Sequence, residues 1–194
     1  MKQLVDFKEN IHKCSKCGIC QGECPIYQVT GNDCTVSRGM FVMLKGCLNG
    51  ELKLNKNINR YLELCLKCGK CSNFCPSGVD AVDIIIAAKH EYFKKNFIER
   101  FKTFILKYFI FGFIPNFARI FKKNKKSEQF EKKVIYFGGC GSKFKSNSSV
   151  VKILNSIGIE VISPNFNCCG IPFFVKGDLG SFQEAIKDYI QIIK

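Results

Sequence analysis

The run Cys14-Ser-Lys-Cys17-Gly-Ile-Cys20-Gln-Gly-Glu-Cys24-Pro25 decides the fold of the first half of this 194-residue chain. The same spacing, CxxCxxCxxxCP, returns from Cys65 through Pro76. Two residues between successive cysteines let a tight loop bring three thiols together. The fourth cysteine then leads the chain away, because the proline after it fixes φ. Two copies in the same register therefore predict a pair of metal-binding loops.

This spacing is that of the iron-sulfur loops of bacterial-type ferredoxins, in which the fourth cysteine ligates the other cluster of a two-cluster protein. The exchange predicts two 4Fe-4S clusters. The predicted ligands are Cys14, Cys17, Cys20 and Cys75 for the first cluster, and Cys65, Cys68, Cys71 and Cys24 for the second. Zinc is the alternative, but its sites usually show paired CxxC knuckles or mixed Cys/His sets. Disulfides are disfavoured because no signal peptide opens the chain, and cytosolic cysteines stay reduced.

The composition agrees with a metalloprotein of one ordinary domain or two small ones. Thirteen cysteines are present, and the formal net charge is +14. The lysines are scattered, so we expect no nucleic-acid partner. Four of them lie in or beside the cysteine loops, where they either offset the negative charge of thiolate-bound clusters or are simply solvated. These are Lys13, Lys16, Lys67 and Lys70. The two histidines, His12 and His90, are interpreted as surface or packing residues.

The sequence predicts an α-rich, α+β fold in three parts. Residues 1–96 form a helical dicluster ferredoxin-type domain, residues 97–133 an apolar helical segment with a charged linker, and residues 134–194 a partial α/β Rossmann-like cysteine-rich domain. A change from helical periodicity to alternating strands and helices supports the last boundary.

Several local predictions follow for the first part. Residues 1–13 read as a short lead-in, and residues 40–45 as a short apolar helix ended by Gly46. A second helix over 58–64 leads into the second loop. Ser77-Gly-Val-Asp80 is a capping signature that opens a third helix, which ends at about Lys95. Cys34 and Cys47 fall outside the ligand spacing and are interpreted as packing cysteines.

Residues 97–121 are the most apolar and aromatic part of the chain. The longest uncharged run is too short to span a bilayer. One hypothesis is a pair of helices buried between domains, which an aromatic stripe favours. The other is an interfacial segment over 101–121 that contacts a membrane peripherally through its aromatic and basic residues.

The last part predicts strands over 134–137 and 159–162, with helices over 149–157 and 181–194. Cys140 and the Cys168-Cys169 pair each follow a strand, so parallel strands would bring them together at one edge of a sheet. They are candidates for a further, incomplete metal site. A two-stranded sheet is not stable alone, so we expect a fragment or a shortened member of a longer family.

These motifs together resemble the iron-sulfur subunit of glycolate oxidase and its relatives. The resemblance is carried by the tandem loops, Ser37-Arg38-Gly39, Cys75-Pro-Ser-Gly78, the Gly-Cys140 loop and Asn167-Cys168-Cys169-Gly170. Related groups are the iron-sulfur subunits of lactate utilisation, anaerobic glycerol-3-phosphate dehydrogenase and heterodisulfide reductase. In this family the cysteine-rich domain is usually present twice, and each copy continues beyond Cys-Cys-Gly. That continuation is missing here, which predicts a C-terminal truncation.

The resemblance implies a cytoplasmic electron-transfer subunit, also expected at the inner face of the membrane. A FAD-containing dehydrogenase subunit would oxidise a 2-hydroxyacid such as glycolate or lactate, and the clusters would pass electrons to an acceptor such as quinone. The chain shows no GxGxxG and no acid/base constellation of its own, so we expect no substrate-oxidising site. Alternatives are the corresponding subunit of a glycerol-3-phosphate dehydrogenase or heterodisulfide-reductase-like complex, and a truncated noncatalytic metal-binding module. The cysteine-rich domain, if completed, would take a further iron-sulfur cluster or zinc.

Overall fold

The computed structural model describes residues 3–108, 132–136, 149–162 and 168–193. The chain divides into two compact units. The first comprises Met1–Phe101 with Pro172–Leu179, and the second comprises Lys102–Ile171 with Gly180–Lys194. The described residues are mostly helical, with a two-stranded parallel sheet in the second unit.

The first unit is built from short helices that alternate with the two cysteine loops. A 3₁₀ turn over Leu4–Phe7 precedes the first helix, and another over Asp33–Thr35 precedes the fourth. The helices are α1 Lys8–His12, α2 Ile19–Glu23, α3 Pro25–Thr30, α4 Ser37–Leu48, α5 Lys56–Leu64, α6 Lys70–Asn73 and α7 Ala81–Lys95.

Side-chain caps fix where α5 and α7 begin. The Asn55 side chain accepts hydrogen bonds from the backbone of Asn57 and Ile58, at 3.0 and 3.1 Å. Asp80 accepts the backbone N–H of Val82 at 3.1 Å. Such caps satisfy N–H groups that have no partner within the helix. The predicted helix to Lys95 is therefore confirmed, although Asp80 rather than Ser77 is its cap.

The core of the first unit draws on segments far apart in the sequence. The buried apolar residues are Leu4, Phe7, Ile11, Met40, Phe41, Leu44, Ile58, Leu62, Val79, Ala81, Ile84, Ile85, Ala87 and Ala88. The interpretation of residues 1–13 as a lead-in was wrong. Leu4, Phe7 and Ile11 recur at helical spacing and bury one face of the N-terminal segment.

Helix α4 is longer than predicted because Gly46 does not end it. The helix continues to Leu48. A Cβ atom on Gly46 would lie 2.9 Å from the Leu52 side chain. The glycine therefore permits close packing inside the helix, whereas the chain turns only after Asn49.

The second unit contains the sheet. Strand β1, Lys132–Ile135, pairs in parallel with β2, Ile159–Ile162, so that Val134 lies opposite Val161. Helix α9, Ser149–Ser156, connects them and contacts β2. The predicted β2 is confirmed. The first strand begins two residues earlier than predicted, and it is exposed along its length rather than buried.

Three further helices complete the described residues. They are α8 Phe97–Tyr108, α10 Ile171–Lys176 and α11 Leu179–Ile193. The sequence analysis did not predict α10. Helix α8 exposes Phe97, Phe101 and Phe104. Burial of this stretch between domains stays an untested hypothesis. Residues 109–121 lie outside the described residues. Among the described helices, none combines the length and apolarity needed to cross a membrane.

Candidate metal centre

The two cysteine loops have the same backbone conformation at equivalent positions. Lys16 and Lys67, one residue before the second cysteine of each loop, have φ of 58° and 56°. Gly18 and Gly69, one residue after it, have φ of 86° and 78°. A lysine in the left-handed region is strained, because its Cβ atom crowds the backbone. The repeated strain indicates that both loops are shaped by one requirement, the convergence of their thiols.

A short helix follows each loop and carries its third cysteine. Helix α2 begins after Gly18 and holds Cys20, while α6 begins after Gly69 and holds Cys71. The two helices contact each other. The third cysteines of the two loops, Cys20 and Cys71, are therefore neighbours.

The first loop borders a partly open pocket of about 400 Å³. The cysteines lining it are Cys14, Cys17, Cys20, Cys71 and Cys75. Side chains from α4 and from the chain entering α7 complete the wall, among them Phe41 and Val79. The pocket thus combines the first three cysteines of one loop with the last cysteine of the other.

A second pocket of about 410 Å³ lies at the second loop. Its cysteines are Cys24, Cys65, Cys68 and Cys71. Met40 and Val82 contribute apolar wall. Here the fourth cysteine of the first loop joins the first three of the second. Each pocket contains the four cysteines that the sequence groups together, and Cys71 lines both pockets. The assignment of ligands to two clusters stays a prediction.

The donor set of each pocket fits an iron-sulfur cube. Every candidate ligand is a cysteine, five cysteines line the first space and four line the second, and the walls are largely apolar. Among the described residues, no three Cys, His, Asp or Glu side chains form a group that could hold a single metal ion.

Burial shifts the pKa of two thiols in the cysteine loops, Cys20 and Cys65. Burial raises the pKa of Cys20, as do the neighbouring Cys71, Cys14 and Cys17, while a hydrogen bond from the Arg38 backbone lowers it. Burial likewise raises the pKa of Cys65, against a hydrogen bond from the Lys67 backbone. These thiols hold their protons in the cluster-free protein, so metal binding must release protons.

Arg38 is a residue of this site to which the sequence analysis gave no role. Its guanidinium donates to the Asp33 carboxylate at 3.0 Å and its side chain borders the first pocket. Gln21 of α2 donates to the same carboxylate. Gly39 lies so close that a Cβ atom would be 2.0 Å from the Asp33 carbonyl oxygen. The Ser37-Arg38-Gly39 motif thus joins α2 to α4 beside the first pocket.

The remaining candidate cysteines are only partly described. Cys168 is buried, and its Sγ accepts the backbone N–H of Gly170 at 3.4 Å. Cys169 is half-buried. Cys140 lies outside the described residues, so its meeting with Cys168 and Cys169 stays a prediction. Of the two other cysteines, Cys34 is half-buried, and Cys47 packs against the core.

The environment of His90 was not foreseen in detail. Its Nδ1 atom is 2.7 Å from the Gly177 carbonyl oxygen. In the same segment, Lys176 donates to the Glu63 carboxylate at 3.1 Å. Burial raises the pKa of Glu63, but the hydrogen bond and charge of Lys176 outweigh it, so the pKa is lowered overall. Residues 172–179 are thereby attached to α5 and α7.

Comparisons with known proteins agree with this site. Residues 10–79 match the family of 4Fe-4S dicluster domains. The glycolate oxidase iron-sulfur subunit of Escherichia coli is 25% identical over 190 residues, which cover 82% of this chain and 46% of that protein. The probable glycolate oxidase iron-sulfur subunit of Bacillus subtilis is 37% identical over 86 residues, covering 41% of this chain and 19% of that protein.

A more distant relative is an uncharacterized iron-sulfur protein of Methanocaldococcus jannaschii, 25% identical over 191 residues that cover 90% of this chain and 38% of that protein. No solved structure gave a significant match. The chain spans less than half the length of these curated relatives. It carries a 4Fe-4S dicluster region and is homologous, at low identity, to glycolate oxidase iron-sulfur subunits.

Proposed function

We propose that this chain is the electron-transfer subunit of a flavin-dependent 2-hydroxyacid oxidase or dehydrogenase complex. In this proposal a partner flavoprotein oxidises glycolate or lactate, and the chain passes the electrons to an acceptor such as quinone. The observation that carries the proposal is the pair of adjacent, thiol-lined pockets, each of which combines cysteines of both loops.

The proposed ligands follow the thiols that line each pocket. Cys14, Cys17, Cys20 and Cys75 hold the first cluster, and Cys65, Cys68, Cys71 and Cys24 hold the second. When bound, each cluster accepts and releases one electron at a time. The protein's part is to fix the thiols through the two strained loops and to cover the pockets with apolar side chains. Phe41 and Met40, neighbours on α4, each line one pocket.

The position of Cys71 supports transfer between the two centres. This residue lines both pockets, and it lies near enough to Cys20 to affect that thiol's pKa. The two proposed centres therefore lie on either side of the contact between α2 and α6. A chain with two such centres suits the relay of single electrons from a two-electron donor such as a flavin.

The names of the relatives support glycolate as the first substrate to try. Two of them are called glycolate oxidase iron-sulfur subunits. The flavin would be on the partner, in the cytoplasm or at the inner membrane face. The further site of Cys140, Cys168 and Cys169 is part of the proposal, as is the division into domains at about residues 96 and 133.

Exposed aromatic residues on α8 support peripheral membrane contact as a second element of the proposal. Phe101 and Phe104 are 54% and 67% exposed, and basic residues such as Lys102 are interspersed with them. Membrane flotation with anionic vesicles tests this contact. Replacing Phe101 and Phe104 by serine should abolish flotation, whereas a wild-type chain that never floats would refute it.

The central experiment is anaerobic purification followed by iron and sulfide analysis. We expect about eight irons and eight sulfides per chain, the content of two cubes. The chain is then mixed with a candidate flavoprotein and either glycolate, lactate or glycerol 3-phosphate. Bleaching of the cluster absorption by glycolate or lactate supports the proposal. Stoichiometric zinc without visible absorption, or bleaching by glycerol 3-phosphate alone, would refute it.

A further inference from the structure

Lys89 is a buried lysine in the interior of the first unit. It lies on α7 four residues after Ile85, so both side chains lie on the same face of the helix. Ile85 belongs to the core, and Lys89 itself is only 1% exposed. Its Nζ atom has no hydrogen-bond partner among the described residues. An unpaired buried ammonium destabilises the folded state. A negatively charged group close by would offset its charge.

Charged groups on three neighbouring elements act on Lys89. They are Glu63 at the end of α5, Cys65 and Lys67 in the second cysteine loop, and Lys176 of α10. Apart from the thiol, the group contains three cations and one carboxylate. The net charge of these groups is therefore positive beside the second loop.

The neighbouring polar groups are already engaged. Lys67 Nζ donates to the Cys65 carbonyl oxygen at 2.9 Å, and Lys176 donates to Glu63 at 3.1 Å. The Glu63 carboxylate also has a hydrogen bond with Asn59. Of these three lysines, Lys89 is the one whose Nζ atom has no hydrogen-bond partner among the described residues. Burial accordingly lowers the pKa of Lys89 to about 8.

A cluster bound in the second pocket would supply a counter-charge for this ammonium. Cys65 lines that pocket and packs against the same core that contains Ile85. A cluster ligated by four thiolates is negatively charged, and it becomes more so when it takes up an electron. In a low-dielectric interior, the field of an unpaired ammonium reaches such a group with little screening.

The segment over residues 172–179 keeps water away from Lys89. Gly177 lies so close to α7 that a Cβ atom would be 2.7 Å from the Lys89 carbonyl carbon and oxygen. The His90 to Gly177 contact at 2.7 Å holds the same segment. A cover of this kind keeps the local dielectric low and thereby strengthens the field of the ammonium.

We propose that Lys89 is an electrostatic positioning residue that raises the reduction potential of the cluster held by Cys65, Cys68, Cys71 and Cys24. The inference rests on the proposed function, since it requires that this cluster forms. One electron passes from the reductant to the cluster, no bond forms or breaks, and the ammonium stabilises the added negative charge. Lys89 thereby favours the arrival of electrons at the second centre over the first.

A mediated redox titration of the iron-loaded full-length chain tests the proposal, with EPR spectra resolving the two clusters. The variants are Lys89→Met and Lys89→Arg, with Lys94→Met on the same helix as the control because Lys94 is exposed. The Cys20→Ser chain, in which only the second cluster should form, assigns the signals. In Lys89→Met we expect the ratio of reduced to oxidised second cluster to fall about tenfold at a fixed ambient potential, which is about 59 mV for one electron.

Lys89→Arg should keep the wild-type ratio, and Lys94→Met should change neither cluster. An iron and sulfide content equal to that of the wild type separates the effect from simple loss of structure. If Lys89→Met does not load iron, Lys89→Gln makes the same comparison with a neutral polar side chain.

The outcomes distinguish this inference from the proposed function. A wild-type chain without iron refutes the proposed function. A wild-type chain with two clusters whose potentials are unchanged in Lys89→Met or Lys89→Gln refutes the role of Lys89 alone. Equal shifts of both clusters, an equal shift in Lys94→Met, or no rescue by Lys89→Arg would also overturn it.

Discussion

The Nδ1 atom of His90 lies 2.7 Å from the carbonyl oxygen of Gly177, a residue 87 positions later in the chain. The contact joins the middle of α7 to the turn between α10 and α11. Gly177 has a φ of 87° and approaches the Lys89 backbone closely. A segment beside the Cys168-Cys169 pair is therefore part of the unit that contains the two cysteine loops.

Replacing Gly177 by alanine should destabilise the first unit by about 2 to 4 kcal/mol, because backbone strain and a clash with Lys89 both result. The matched control is Gly50→Ala. Gly50 has a similar φ of 80°, but a Cβ atom there meets nothing within 4 Å. Strain alone should cost the control about 1 kcal/mol. Thermal unfolding followed by circular dichroism makes the comparison, and equal losses in the two variants would contradict the close contact.

The exchange of fourth ligands predicts how pairs of cysteine substitutions combine. Cys20→Ser should remove the first cluster, which is about half of the iron. Adding Cys75→Ala should remove no more, since both residues serve the same cluster. Adding Cys24→Ala instead should remove nearly all of the iron. Cys34→Ser is the control, because Cys34 is half-buried but lines neither pocket. The reverse pattern would show that each loop keeps its own fourth cysteine.

The positive φ of Lys16 and Lys67 strains the backbone of the two loops, which predicts that glycine at these positions is stabilising. Lys16→Gly should raise the stability of the iron-loaded protein by up to about 1 kcal/mol, because glycine accepts a positive φ without steric cost. Lys67→Gly should gain less, since it also loses the hydrogen bond from Lys67 Nζ to the Cys65 carbonyl. Guanidinium unfolding under anaerobic conditions measures both. A larger gain at Lys67 than at Lys16 would argue against this account.

The pKa of Lys89 predicts a pH dependence of stability. Burial lowers this pKa from 10.5 to about 8, so the folded state releases its proton before the unfolded state does. Between these pH values the unfolded state binds more protons, and stability must rise with pH. Relative to Lys89→Met, the wild type should gain on the order of 3 kcal/mol as the pH increases from below 8 to above 10.5. Thermal midpoints of the iron-free forms of both proteins across this range test it, and a constant difference would contradict a buried, unpaired ammonium.

The features of the site that could be predicted are those set by residues close together in the sequence. The prediction that Cys75 joins the first loop and Cys24 joins the second rests on the cysteine spacing that the chain shares with two-cluster ferredoxins. The cap at Asp80 and strand β2 are likewise local features. The predictions that were wrong concern side chains whose environment is supplied from afar, such as Leu4, Phe7 and Gly46.

By itself, the sequence determined that two cysteine loops of the same register must form a pair of thiol-rich centres. Spacing and turn geometry act over a few residues and can be read directly from the chain. Only the tertiary structure decided that Lys89 is buried beside the second centre and that Gly177 covers it. Residues 63, 89 and 177 come together through packing between separate segments, and the helical pattern of α7 does not reveal which of its lysines loses contact with water.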